Sequence, residues 1–192
     1  MQAEPKRIYT MEEYLALERE SEVRYEYRDG EVFDMSGGKR YHDRIMGKMF
    51  NLLSSLLSGK DCEVFTGNMQ IKTPALLPYR YAAGSVAWGE AKFELFNGCD
   101  LLLNPILIWE VLSSTTEAYD RGDKFTYYKS IPSLKEYLLI AQHRPHITQY
   151  VKQNERIWYR TEFNSLGESI YLPSLDCTLQ LSELYQGVIF SD

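Results

Sequence analysis

Cysteine is scarce in this chain and never paired in sequence. Cys62, Cys99 and Cys177 are the three in 192 residues, and no C-x-x-C spacing occurs. Neither a disulfide framework nor a thiolate zinc site is indicated, and a reducing cytoplasm is the natural setting. No apolar run approaches the roughly 20 residues needed to cross a bilayer. The N-terminal stretch MQAEPKRIYTMEEYLALERE carries no apolar core of a signal peptide. Positive charge is also short: 21 Lys and Arg stand against 27 Asp and Glu, for a net charge of −6. That disfavours a dedicated binder of bulk nucleic acid, which is normally basic, but not an enzyme with a local basic patch. Repeats, low-complexity tracts and linkers are absent. One domain of ordinary globular composition is the simplest reading of residues 1–192. Aromatics are plentiful by contrast, through 15 tyrosines, and these suit strands and sheet surfaces.

Turn and cap signals organise what is present. Thr10 and Glu13 form a capping box that opens a first helix in TMEEYLALERE. Asp29-Gly30 joins two alternating segments of VRYEYRDGEVFDMS as a hairpin. Gly37-Gly38 breaks the chain before a longer helix, about 41–58, which places His42, Ile45, Met49, Leu52 and Leu56 along one face and stops at Gly59. Strands are expected at 62–73, 81–88, 105–113 and 136–141. A polar-capped helix at about 116–131 ends before Pro132. HITQYVKQNERIWYR and SIYLPSL read as further antiparallel strands, and a short helix starts near Ser182 in LSELYQGV. The order predicts an α/β (α+β) domain: a mixed sheet flanked by helices, with an N-terminal helix-hairpin and a C-terminal antiparallel meander. The helix at 116–131 would be the crossover between parallel strands at 105–113 and 136–141.

One residue in LNPILIWEVLSSTTEAYDRGDK is out of place. Glu110 interrupts a run that otherwise reads as a strand covered on both faces. An unpaired charge there is costly, so Glu110 needs a lysine, a metal ion or a hydrogen-bond network. Strand alternation puts it on the face of Ile108 and Leu112. Asp120 and Lys124, four apart, project from one side of the crossover helix. A sheet carboxylate facing a helix lysine serves equally as a hydrolytic site or as a plain ion pair. Read without context, Asp120 and Lys124 are an ordinary solvated helix pair.

The pattern E-V-L-S, S/T, an acidic residue with K, then Y and I-P-S-L-K-E-Y-L-L-I resembles the bacterial Uma-two family of "putative restriction endonucleases". So do the earlier R-Y-E-Y-R-D-G-E-V-F-D-M-S-G-G and the histidine that opens the next helix. The resemblance runs from about Thr10 to Val151. It implies the restriction endonuclease-like fold of the PD-(D/E)XK nuclease superfamily, with its core at about 41–141. It further implies Mg²⁺-dependent hydrolysis of DNA, with an Asp of the second core strand and a Glu of the third as oxygen ligands to the ion. Carried over, Glu110 is the third-strand metal ligand and Lys124 the lysine displaced onto the crossover helix, since Leu112 fills the usual lysine position. Asp120 would support the lysine or the metal water, and His42 would line the cleft. The homodimer habit of restriction-type enzymes is expected to follow.

The resemblance fails at one place. Where the family reads R-Y-P-D-V, this chain reads YRYAAGSVAWG, so Ala83 stands at the Asp position, with Ala82 before it and Gly84 after. Alanine cannot ligate a metal, and impaired or absent cleavage is the expectation unless Glu26, Glu31 or Glu90 substitutes. Lys39, Arg40, Arg44 and Lys48 form the densest positive patch. Lys39, Arg40, Arg44 and Lys48 either meet a phosphate backbone near a helix start or form a solvated surface that balances Asp43 and nearby acids. The alternative to a nuclease is a non-catalytic interaction or oligomerisation module that keeps the fold. His143 and His146 are assigned no role.

Overall fold

The computed structural model describes residues 7–35, 39–74 and 79–190. It divides into two compact units, Met1–Gly38 and Lys39–Asp192. In the first, helix α1 (Met11–Glu20) starts on the expected reciprocal cap: Thr10 Oγ1 accepts the Glu13 N–H and the Glu13 carboxylate accepts the Thr10 N–H. Strands β1 (Tyr25–Arg28) and β2 (Glu31–Asp34) pair antiparallel. Asp29 and Gly30 take φ of 47° and 88°, the left-handed pair that a two-residue hairpin turn requires. Tyr14 packs its ring on Tyr27 at 5.4 Å and donates its hydroxyl to the Tyr25 carbonyl. The Gly37-Gly38 break lies outside the described residues.

The second unit opens with α2 (Arg40–Leu56). Its buried stripe is Ile45, Met49 and Leu53, one every four residues; Leu56 is instead exposed and Leu52 half-buried. The face is rotated from the expected one because Leu53, not Leu52, continues the i, i+4 ladder from Ile45. Then follow β3 (Cys62–Thr66), β4 (Gln70–Lys72), β5 (Tyr79–Tyr81) and β6 (Gly84–Trp88). Each of two expected strands is thus split in two. A turn at Gly67, closed by Met69 N–H on the Thr66 carbonyl, sends β4 away from β3. A bend at Ala82-Ala83 separates β5 from β6. Next are β7 (Phe93–Phe96), β8 (Cys99–Leu102) and β9 (Pro105–Leu112). The β7–β8 hairpin was unforeseen, although Asn97-Gly98, with φ of 51° and 82°, is the same turn chemistry as Asp29-Gly30.

The crossover is two short helices, α3 (Glu117–Arg121) and α4 (Asp123–Tyr128), broken at Gly122. It leads into β10 (Glu136–Ala141), which runs parallel to β9, as expected. The meander then supplies β11 (Ile147–Asn154), β12 (Ile157–Phe163), β13 (Ser169–Leu172), β14 (Cys177–Gln180) and α5 (Leu181–Leu184). The main sheet has the order β12-β11-β10-β9-β6-β3, and a smaller one the order β5-β4-β8-β7. The fold is the mixed α/β arrangement read from the sequence. Cys62, Cys99 and Cys177 are free thiols, and no described helix is long and apolar enough to cross a membrane.

Alternation along β9 and β10 builds two cores. Leu107, Trp109, Val111, Leu138 and Ile140 meet Ile45, Met49 and Leu53 of α2. Ile108, Leu112, Tyr137 and Leu139 meet Phe125 and Tyr128 of α4. Where β6 crosses β9, Gly84 pairs with Trp109. A Cβ on Gly84 would lie 2.1 Å from Cζ2 of that fully buried indole. The large ring therefore demands the smallest neighbour. Gly84→Ala is expected to destabilise by about 1–3 kcal/mol, the range of core overpacking, read as a lower denaturant midpoint with unchanged slope. Adding Trp109→Phe should return part of the loss, because the clash and its relief share one site.

Candidate active site

Glu110 lies on the α4 side of β9 and is 5% exposed. The crossover turns back over it so that three donors converge on its carboxylate. Lys124 Nζ is 2.9 Å from Oε1. Tyr128 donates its hydroxyl to the same oxygen at 3.3 Å and also reaches the Tyr81 carbonyl at 3.2 Å. The backbone N–H of Ala83 donates to Oε2 at 3.1 Å. Asp120 Oδ1 lies 3.4 Å from the same Lys124 ammonium, and both of these side chains are 3% exposed. Glu110 and Lys124 thus share one interior site. Asp120 and Lys124 are not the solvated pair that spacing alone suggests. The turn at Gly122 folds α3 and α4 inward, so their i, i+4 relation is used in the core.

Glu110, Asp120 and Lys124 together carry one net negative charge. Tyr137, beside them on β10, gives its hydroxyl proton to the Asp120 backbone carbonyl at 3.0 Å. Burial, reinforced by the Glu110 and Asp120 charges, pushes this phenol well above its ordinary value of 10, so it remains a donor. The sequence reading missed Tyr128 and Tyr137. Tyr128 was within reach of it, standing four residues after Lys124 on the same helical face. A second buried carboxylate, Glu136, is satisfied differently. Ser174 donates both its hydroxyl (2.6 Å) and its N–H (3.2 Å), and Gln149 its amide. Burial raises this carboxyl above its usual 4.5 and the hydrogen bonds offset part of the rise. A strand carboxylate in this sheet can therefore be held without a cation, which makes the ammonium at Glu110 a specific feature.

His42, in the first turn of α2, makes a 3.0 Å hydrogen bond from Nε2 to the carbonyl of Val111, the residue after Glu110. With Nε2 as the donor, the ring can be neutral. Burial lowers its pKa below 6.5, partly opposed by the Val111 carbonyl and by the Asp120 and Asp43 charges. His42 holds the end of β9 from the α2 side.

The β6–β9 register, continued one residue past Gly84↔Trp109, sets Ala83 opposite Glu110. The position at which the resemblance implies an Asp thus adjoins the carboxylate and presents a methyl group. Of the proposed substitutes, Glu90 is exposed, Glu31 lies on β2, and Glu26 on β1 is buried and paired with Arg28. Among the described residues no group of three or more His, Cys, Asp or Glu is arranged to hold a metal ion. Both Glu110 oxygens already accept from protein donors, and an ammonium occupies the space between Glu110 and Asp120. The residues present do not fit a dedicated Mg²⁺ site.

The basic patch is also partly committed. Lys48 Nζ donates to the Gln186 side chain at 2.7 Å, and Arg44 reaches the Gln186 carbonyl at 3.4 Å. Gly187, with φ of 80°, leaves the room that Arg44 fills. Arg40 is exposed and stands 5.6 Å over the Tyr41 ring. Two of the patch's four cations, Arg44 and Lys48, thus fasten the turn after α5. Of the unassigned histidines, His146 is buried between Asn164 and Thr148.

A mixed sheet with a helical crossover between the parallel strands β9 and β10 is a fold shared with a solved nuclease structure. The crystal structure of "a putative nuclease belonging to DUF820" from Anabaena variabilis matches it with a TM-score of 0.72 over 94% of this chain and 99% of that one. Identity between the two is 17%, so the likeness is one of fold. The family model Uma2, described as "Putative restriction endonuclease", matches residues 11–183, and the chain belongs to that family. Two proteins of Synechocystis sp. are similar along most of their length. Uncharacterized protein slr1290 is 31% identical over 179 residues, 93% of this chain and 92% of its own. Uncharacterized protein sll1609 is 32% identical over 163 residues, 85% and 90% respectively.

Proposed function

We propose that this chain is a cleavage-deficient member of the Mg²⁺-dependent DNA endonuclease lineage, its former metal site closed around Lys124. The observation that carries this reading is that both oxygens of the Glu110 carboxylate already accept from protein donors. Lys124 and Tyr128 take Oε1, the Ala83 N–H takes Oε2, and a methyl group stands where the lineage supplies a second carboxylate. A divalent ion would have to displace an ammonium from a desolvated pair and would find one carboxylate fewer on arrival. The reading predicts no nicking or linearisation of supercoiled plasmid above background at 10 mM (roughly the usual excess for a weak site) Mg²⁺ or Mn²⁺. Efficient cutting by the unmodified chain would overturn it.

The second reading, a non-catalytic interaction module on the same fold, draws support from the net charge of −6 and from the internal use of Arg44 and Lys48. Salt-sensitive DNA binding that is lost on neutralising Arg40, Arg44 and Lys48 together would count against it.

A further inference from the structure

Arg80 is the one buried arginine of the second unit whose charge meets no carboxylate among the described residues. It lies on β5, three residues before Ala83, and is 3% exposed. Nη1 donates to the Tyr119 hydroxyl at 3.0 Å, and the guanidinium lies 3.6 Å over the Tyr127 ring. Nε is fully buried and has no acceptor. The neighbouring stretch Ala75 to Pro78 contains no acidic residue. Arginine cannot escape such a position by losing its proton. A ring face and one phenol oxygen compensate a desolvated guanidinium only in part.

We infer that Arg80 is a phosphate-binding residue, its buried, acceptor-free Nε taking an oxygen of a phosphate group beside the Glu110 site when the covering tyrosines move aside. Three features support that chemistry. The Nε edge of a guanidinium is a ready-made fork for two oxygens of one oxyanion, and its Nε is left without an acceptor. The Tyr119 hydroxyl already places a neutral oxygen against the opposite edge, so the group is oriented before any ligand arrives. Tyr119 and Tyr127, which cover it, are half-buried on the short helices α3 and α4, and so form a thin lid over the cation. The choice of phosphate over another oxyanion rests on the endonuclease lineage proposed above; the unmet charge does not.

The test is isothermal titration at pH 7.5, about the usual neutral assay value where Arg is fully charged, with inorganic phosphate and, separately, a short double-stranded oligonucleotide, each at matched ionic strength. Saturable phosphate binding is expected, weakened at least tenfold by Arg80→Gln and also by Arg80→Lys, which keeps the charge but loses the fork. An exposed control, Arg156→Gln, should bind as the unmodified chain does. If the oligonucleotide binds more tightly than phosphate and competes with it, the ligand is a phosphodiester. If it adds nothing, the ligand is a free phosphate group. No phosphate binding, or equal binding by the Arg80 variants, would overturn the inference. Should Arg80→Gln fail to fold, the ¹⁵N–¹H signal of Arg80 Nε in the unmodified chain decides, because phosphate must shift it. Plasmid cutting together with phosphate-insensitive Arg80 would refute each proposal separately.

Discussion

Ala83→Asp should give the chain a divalent-ion affinity that the proposed reading denies to the unmodified one. The substituted carboxylate would enter a nearly closed site opposite Glu110, where Glu110, Asp120 and Lys124 already sum to one negative charge. A second net charge makes the cluster the electrostatic complement of a divalent cation and supplies the missing oxygen ligand. Without metal, two neighbouring carboxylates repel, and a loss of roughly 1–3 kcal/mol is expected, as for other unmatched buried charges. With metal, affinity on the order of 10⁻⁴–10⁻³ M is expected, as for oxygen sites with few protein ligands. At a metal concentration 100-fold above Kd, the linkage returns about 2.7 kcal/mol. The signature is therefore a melting temperature that falls in EDTA and rises with Mn²⁺ in the variant only, alongside calorimetric binding. An Ala83→Asp chain that neither binds Mn²⁺ nor responds to it would remove the ground for treating Glu110 as a former metal ligand.

Local signals carried most of the fold because they are local. The Thr10–Glu13 box, the Asp29-Gly30 turn and the stop at Gly59 need no tertiary information, and each stands where expected. The parallel pairing of β9 with β10 was legible for a similar reason: an apolar strand, a helix-length polar segment and a second apolar strand have few ways to connect. Continuity was what misled. The segments 62–73 and 81–88 each look like one strand, because periodicity does not reveal that a chain leaves one sheet for another. The switch at Ala82-Ala83 is set by partners distant in sequence, the Trp109 carbonyl and the Glu110 carboxylate. The overlooked β7–β8 hairpin differs: Asn97-Gly98 stood in plain view.

At the site, residue types were more legible than their duties. The burial of Glu110 and its choice between lysine, metal and hydrogen-bond network followed from the strand in which it sits. The structure answers with two of these at once, an ammonium and the donors of Tyr128 and Ala83. The i, i+4 spacing of Asp120 and Lys124 put them on one side of the crossover without telling which side faced the core, because Gly122 breaks the helix and resets its direction. Arg80 drew no notice in the sequence. An arginine among tyrosines at a strand start reads as a surface residue until the small sheet and the crossover close over it.

The closing of the site around Lys124 makes that side chain the most costly to neutralise. Lys124→Met keeps the length and the apolar stem, which packs in the same space, and removes only the charge and its donors. Glu110 would retain the Ala83 N–H and the Tyr128 hydroxyl; Asp120 would lose its described cation. Breaking a buried ion pair from one side costs about 3–5 kcal/mol, since a desolvated carboxylate is left without its ammonium. At roughly 2–4 °C per kcal/mol for a chain of this size, the melting temperature should fall by some 6–20 °C. Glu110→Gln in the same background should recover much of that, because an amide tolerates the loss of the ammonium where a carboxylate does not; the two changes would then be strongly non-additive. If Lys124→Met unfolds at the same denaturant concentration as the unmodified chain, the ammonium is not what holds the crossover over β9. A divalent ion could then enter between Glu110 and Asp120 at little cost, and only the methyl group at position 83 would be left to account for an absence of cleavage.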